Sequence, residues 1–374
     1  MALALRVVID EVLDPRHTAT GRAAEHLARA LVATAPEGTV VEGIVSASSE
    51  DDYAELRRRL PGLERLHKSA LARRELAAAW ATGLVRAPRG MVHSPSLLAP
   101  LARHDRVATP GTQAVVTLLD AVLWTAPQTV SGRPLAWQRA MIRRAERHAD
   151  ALVVPSHAVA EAVAEHARFG DRVRVIPQAA APGLTVPRDA LERLDRLQLP
   201  GSYVLSFATA NPRHQLDRLL EALAPLDAPL VLVHSGPRQA EGVDEVVAAS
   251  RVPADRVIRL SALDRDDLAA VQAGAALFVQ PSRDEGFGTS VLEAFALDVP
   301  VVTSDAPALV ELSAGAALEV ERGDEFTEGL RDAIERVLTD DDLADRMRIA
   351  GRDRARAFTW RDSAEKVWQL HADL

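Results

Sequence analysis

Glu285 and Glu293 stand eight positions apart in a stretch that runs PSRDEGFGTSVLEAFALDVPVVTSD from Pro281 to Asp305. Between them lies Gly286-Phe287-Gly288, a turn in which two positions carry no side chain, so a ligand can come up against the backbone. The following residues, from about Ser290 to Leu297, read as a short helix. The first N–H groups of such a helix have no partner inside it, and they carry the positive end of its dipole. A glycine turn running into a helix is a place for an anion such as a diphosphate. The two carboxylates add acceptors for vicinal hydroxyls. Taken singly, a loop glutamate and a helix-surface glutamate are ordinary; together with the glycines they point to a sugar and a phosphate bound side by side. A glycosidase also needs two carboxyls, roughly 5–10 Å apart. Neither of those has to sit on a phosphate-ready turn, so group transfer is favoured.

The turn is set between two apolar runs, Ala275–Val279 and Val299–Val302, which read as buried strands. The same alternation extends along the whole chain. In the first half, strands are expected at Leu3–Ile9, Val40–Val45, Met91–His93, Ala114–Leu119, Ala151–Val154 and Val173–Ile176, with helices between them. Residues 177–202 break the pattern and read as a linker that includes a polar helix. It restarts at Tyr203–Phe207 and continues through Leu230–His234, Val257–Arg259, Ala276–Val279, Val301–Thr303 and Ala317–Val320 before ending in three helices. The fold class is therefore α/β, with two Rossmann-like, doubly wound parallel-sheet domains at 1–180 and 181–359. The segment Leu66–Val85, with Leu71, Leu76, Trp80 and Leu84 at helical spacing, reads as an amphipathic helix; a membrane-surface contact is open to it, but an ordinary domain helix is favoured.

Composition narrows the partners. A 374-residue chain with 48% hydrophobic and 26% charged residues suits a globular protein of two domains. The formal net charge of −9 argues against a nucleic-acid partner. There is no cysteine, which removes disulfides and thiolate metal sites. The start, MALALRVVIDEV, is expected to be a first buried strand rather than a signal peptide. No uncharged apolar stretch approaches the roughly 18–20 residues of a membrane span, so a cytoplasmic protein is expected.

Further candidates lie at other strand ends, where open α/β sheets bind ligands. Asn211-Pro212-Arg213-His214 follows the first strand of the second half; Arg213 can grip phosphate bidentately, and His214 adds a charge only if protonated. Asp120 ends the Val116–Asp120 run, where ligand contact and helix N-cap both fit. Ser235 opens a Ser-Gly-Pro turn, and Gly21 with Arg22 closes the loop after the first strand. His93 fits either a cleft wall or a satisfied buried histidine. Asp264-Arg265-Asp266 looks like a metal-binding D-x-D, but its place at a helix start favours capping. No G-x-G-x-x-G follows the first strand, which disfavours a dinucleotide oxidoreductase.

The Glu285–Glu293 spacing around Gly-Phe-Gly, with the flanking Pro-Ser and LEAFALDVPVV, resembles the E-x7-E motif of retaining GT-B glycosyltransferases of family 4 (group 1, mannosyltransferase-like). The resemblance covers nearly all of the second half, Phe358-Thr359-Trp360 included, and is thinner over the first. It implies two domains facing each other across a cleft, the last helix packed back on the first domain, and sugar transfer from a nucleoside diphosphate (GDP- or UDP-linked) with retained configuration and neither metal nor other cofactor. The acceptor would be a carbohydrate, lipid-linked or small-molecule hydroxyl, with peripheral contact at the inner membrane face open to it. Catalytic roles then fall to Arg213, Glu285 and Asp120. Donor binding falls to Glu293, Gly286, Phe287, Gly288, Thr289, His214, Gly21 and Ser235. Three positions depart from the family pattern: Leu119 replaces a histidine, His214 a lysine and Ala208 a glycine. These departures keep two other readings open, a catalytically silent binding protein and a GT-B enzyme of other chemistry such as an epimerase or phosphorylase.

Overall fold

The computed structural model describes residues 3–14, 18–85, 89–104, 111–130 and 132–374, with the side chains of 237 and 238 excepted. The middle of the loop after the first strand, residues 15–17, lies outside them. The chain divides into two compact units, Met1–Gln178 with Thr359–Leu374, and Ala179–Phe358.

Among the described residues the first unit holds a seven-stranded sheet. Its strands are β1 (Leu3–Val8), β2 (Thr39–Ala47), β3 (Arg65–Ala72), β4 (Met91–Ser94), β5 (Gln113–Thr117), β6 (Ala151–Val154) and β7 (Val173–Val175). Their spatial order is β3-β2-β1-β4-β5-β6-β7 and every pairing is parallel. The second unit holds β8 (Val204–Ser206), β9 (Leu230–His234), β10 (Val257–Ser261), β11 (Leu277–Gln280), β12 (Val301–Ser304) and β13 (Leu318–Val320), in the order β10-β9-β8-β11-β12-β13 and again all parallel. Each sheet grows outward one way from its first strand, then reverses. The switch points fall between β1 and β4 and between β8 and β11.

The apolar runs are continuous because both faces of each sheet are covered. Leu230 and Leu232 of β9 enter one core layer while Val231 and Val233 enter the other, and Leu277 and Val279 of β11 oppose Phe278 in the same way. In the first unit Leu5 and Val7 face the layer that receives Ala364, Val367, Trp368 and Leu370 of the chain's last helix, Trp360–Asp373. That helix is tied in by Trp368 Nε1 donating to the Leu31 carbonyl at 3.3 Å and Ser363 Oγ to that of Pro177 at 2.7 Å.

One expectation needs correction. Leu66–Val85 is not one helix: its first part is the edge strand β3, and a helix follows only at Arg73–Thr82. Exposure alternates along β3 from one residue to the next, the period-2 pattern of an edge strand, and Leu71 belongs to it. The helix spacing of Leu76 and Trp80 is real, and both are buried. Residues 177–202 contain the boundary between the units, at Gln178 and Ala179, and the polar helix expected there, Ala190–Arg196; Leu184, Leu194, Leu197 and Leu199 pack on the second unit's core. Arg193 locks that helix to Asp267 at 2.7 Å.

Candidate functional site

Arg213 follows β8 and Glu285 follows β11, so the two loops flank the switch point of the second sheet, on its carboxyl side. They are joined directly: the Arg283 N–H donates to the Arg213 carbonyl at 2.8 Å. The helix Thr289–Ala296 begins there with Gly288 as its N-cap and no capping side chain. By contrast, Thr18, Ser49, Ser156, Asp264, Asp340 and Thr359 each cap a helix with a side-chain oxygen. Gly288 has φ +94, and a Cβ on it would meet Leu309 Cδ2 at 2.7 Å and Leu312 Cδ2 at 3.0 Å. Glycine is needed here to bend the backbone and to let the helix start against a packed neighbour.

Glu285 is half-buried, and its Oε1 accepts a hydrogen bond from Gln280 Nε2 at 2.8 Å. The same Nε2 donates to Ser282 Oγ at 2.7 Å. Ser282 is fully buried, and Ser304 Oγ donates to its carbonyl. Glu293, half-buried, lies in the first turns of the helix, four residues past Thr289. Gly286 is buried. The side chain of Phe287 is buried in the core and edge-on to Phe358 at 5.6 Å, which leaves its backbone as the part that can serve a ligand.

The condition set on His214, that it adds a charge only if protonated, is not met. Burial, then Arg213, then His234 push its pKa down to about 4, so it is neutral near pH 7 and supplies no second positive charge. The geometry gives the reason. Nε2 receives the Arg213 Nε–H at 3.3 Å, and Nδ1 shares a hydrogen bond with Thr209 Oγ1 at 2.8 Å. A protonated ring would set its own N–H against the arginine's. Thr209 Oγ1 in turn accepts from the Asn211 N–H at 3.2 Å, and Asn211 Oδ1 accepts from the Arg213 N–H at 3.1 Å. Arg213 is thus carried on a short 3-10 turn, Pro212–His214, tied at both ends.

In the first unit, Gly21 lies at the start of the helix Ala19–Ala33, where a Cβ would come 2.5 Å from the Glu11 carbonyl; its small size serves helix–loop packing. Asp120 is half-buried just past β5; its Oδ1 accepts from the Val122 N–H at 3.2 Å, but the N-cap of the short helix Val122–Thr125 is Ala121, so Asp120 is not the helix N-cap that its second reading named. His93 on β4 is fully buried, edge-on to His371 of the last helix at 5.6 Å. Neither of its ring nitrogens has a hydrogen-bond partner among the described residues, so it is not the satisfied histidine expected. Ser235 is exposed in the second unit, its N–H bonded to Gln239 Oε1 at 2.8 Å. Asp264 caps the helix Arg265–Ala273 by accepting from the Asp267 N–H at 2.7 Å, and Asp266 faces Arg193 at 3.6 Å. The D-x-D pattern is taken up by capping and ion pairing. Gln280 and Thr209 had no motif to mark them, and Ser282 was marked only as part of the Pro-Ser that flanks the motif; a polar residue closing the apolar run Leu277–Val279 was the only trace of Gln280.

Residues 195–354 match the family model described as "Glycosyl transferases group 1". The serotype-specific mannosyltransferase WbdA of Escherichia coli is 28% identical over 228 residues, covering 58% of this chain and 28% of that protein, so the chain spans under a third of that relative's length. Sucrose-phosphate synthase from Thermosynechococcus elongatus superposes with a TM-score of 0.72 at 18% identity, covering 99% of this chain and 98% of its own. HepE of Anabaena, solved with UDP and glucose, superposes over 100% of both chains with a TM-score of 0.72 at 16% identity. The chain has the GT-B fold, and the stretch that resembles group 1 glycosyltransferases, residues 195–354, lies within its second unit.

Proposed function

We propose that this protein is a retaining, metal-independent glycosyltransferase that moves a hexosyl group from a nucleoside diphosphate to an acceptor hydroxyl. The observation that carries the reading is the convergence of Arg213, Glu285 and the uncapped helix Thr289–Ala296 at one switch point. Together they provide a cation, a carboxylate and backbone donors within one small volume of the second unit. The relatives suit this class: one is a mannosyltransferase and another was solved with UDP and glucose.

In the proposed reaction Glu293 accepts hydrogen bonds from the ribose and Glu285 from the sugar. The backbone of 286–288 and the helix N-terminus receive the diphosphate. As the bond from the anomeric carbon to the phosphate oxygen breaks, charge grows on that oxygen, and Arg213 with the helix dipole stabilises it. The acceptor oxygen bonds to the same face of the anomeric carbon while its proton passes to the departing phosphate. Acceptor binding falls to the first unit, with Asp120 at a strand end there. Charge stabilisation by Arg213 and fixed backbone donors would take the place of a metal ion.

Thermal-shift screening with GDP-, UDP- and ADP-linked hexoses tests the reading. A selective rise is expected for one nucleotide, about 2.7 kcal/mol of stabilisation at 100 times Kd. No shift with any of them would overturn it. A second reading, nucleotide binding without turnover, is favoured by Leu119 and by the neutrality of His214. Donor binding with no transfer across a broad acceptor panel would select it.

A further inference from the structure

Gln280 is the last residue of β11, buried at 8% exposure, five positions before Glu285. Its two amide hydrogens are divided between Ser282 Oγ at 2.7 Å and Glu285 Oε1 at 2.8 Å. The orientation of this amide is dictated by chemistry: an ionised carboxylate only accepts, so nitrogen and not oxygen must face it. That choice leaves Gln280 Oε1 buried with no hydrogen-bond partner among the described residues. A buried carbonyl left unmatched is unfavourable, and a wholly structural polar pair would be expected to satisfy it. The arrangement makes sense if the position is shaped for Glu285. The strand end is rigid, whereas Glu285 stands on the turn that meets the ligand.

We propose that Gln280 is a positioning residue for sugar recognition, fixing the Glu285 carboxylate from the end of β11 so that it meets the hydroxyls of the donor sugar. Ser282 completes the support, since its hydroxyl takes the second amide hydrogen and its carbonyl is held by Ser304. The inference rests on the proposed donor site and adds a division of labour within it. Gln280 acts on the sugar half of the donor through Glu285 and leaves the nucleotide half to Glu293 and Arg213.

The test compares binding of a nucleoside diphosphate with that of its hexose conjugate, by calorimetry, in wild type, Gln280→Met and Gln280→Glu. Gln280→Met keeps length and burial but removes the donor. It is expected to weaken the sugar conjugate about tenfold while the bare diphosphate binds as in wild type, the size expected for a hydrogen bond to a charged group. Gln280→Glu sets a second carboxyl against Glu285, and the pair takes up a shared proton at a raised pH. Sugar-conjugate affinity in that variant is therefore low at pH 8 and recovers as pH falls, a response that lost packing alone would not give. Equal weakening of both ligands in Gln280→Met, or a Gln280→Glu deficit independent of pH, overturns the inference. So does wild-type preference for the conjugate in both variants. Failure of the wild type to bind any diphosphate or conjugate overturns the donor-site reading, and this inference with it.

Discussion

In the proposed donor site Arg213 would grip the phosphates without help from His214, because the adjacent imidazole is uncharged. His214 is neutral down to about pH 4, and it spends Nε2 as an acceptor for Arg213. Removing the guanidinium should therefore cost turnover heavily: Arg213→Ala is expected to lower kcat/KM about 100-fold in a steady-state assay. Arg213→Lys should restore little, since a point charge cannot span two phosphate oxygens. Asp266→Ala is the control. That side chain is exposed and paired only loosely with Arg193, at 3.6 Å, and activity within about twofold of wild type is expected. Loss of activity in the control would relocate the site. Arg213 was legible from its place after a strand. The neutrality of His214 was not, because it depends first on burial that no local pattern records, and then on Arg213 and the distant His234.

At the scale of elements, Gly288 joins turn to helix under two constraints at once. Its φ of +94 disfavours any side chain, and the approach of Leu309 and Leu312 leaves no room for a Cβ. Gly288→Ala should lower stability by about 1–3 kcal/mol, read from the urea midpoint at unchanged m. A second element-level effect concerns the last helix, whose His371 lies against His93 of β4. Burial first, and then His371, hold His93 well below its ordinary range; burial lowers His371 to about 4. Both groups bind protons more readily in the unfolded chain, so stability is full above about pH 6.5 and falls as pH drops through the window towards 4. For His371 the whole change is roughly 3 kcal/mol. Urea unfolding between pH 4 and 7 should show this slope in wild type and a shallower one in His93→Leu. Equal slopes would mean that the pair does not titrate. The period-2 and helix-spaced patterns made most elements readable. β3 was the exception, where Leu71, Leu76 and Trp80 mimic one helix although a strand ends at Ala72.

For the whole molecule, the last sixteen residues complete the first unit rather than the second. Val367, Trp368 and Leu370 are buried there among residues of β1, β2 and the helix Ala19–Ala33. Each such side chain is worth roughly 2–3 kcal/mol when buried, and together they rival the net stability of a domain. Deleting Thr359–Leu374 should therefore unfold the first unit while Ala179–Phe358 keeps its protection, which hydrogen exchange or limited proteolysis would resolve. Protection of both units after deletion would contradict this. Among the described residues no helix is long and apolar enough to cross a membrane.

The sequence by itself determined the two parallel sheets, because strands covered on both faces must be apolar throughout. It also determined the glycine turn before Glu293, because only glycine meets the backbone demands at position 288. Tertiary structure decided what surrounds those residues. Gln280 reaches Glu285, Arg283 holds the loop of Arg213, and His214 loses its charge, through contacts between segments that only the folded switch point brings together. Periodicity and turn chemistry are local and are written residue by residue; hydrogen-bond partners and desolvation across a sheet are not.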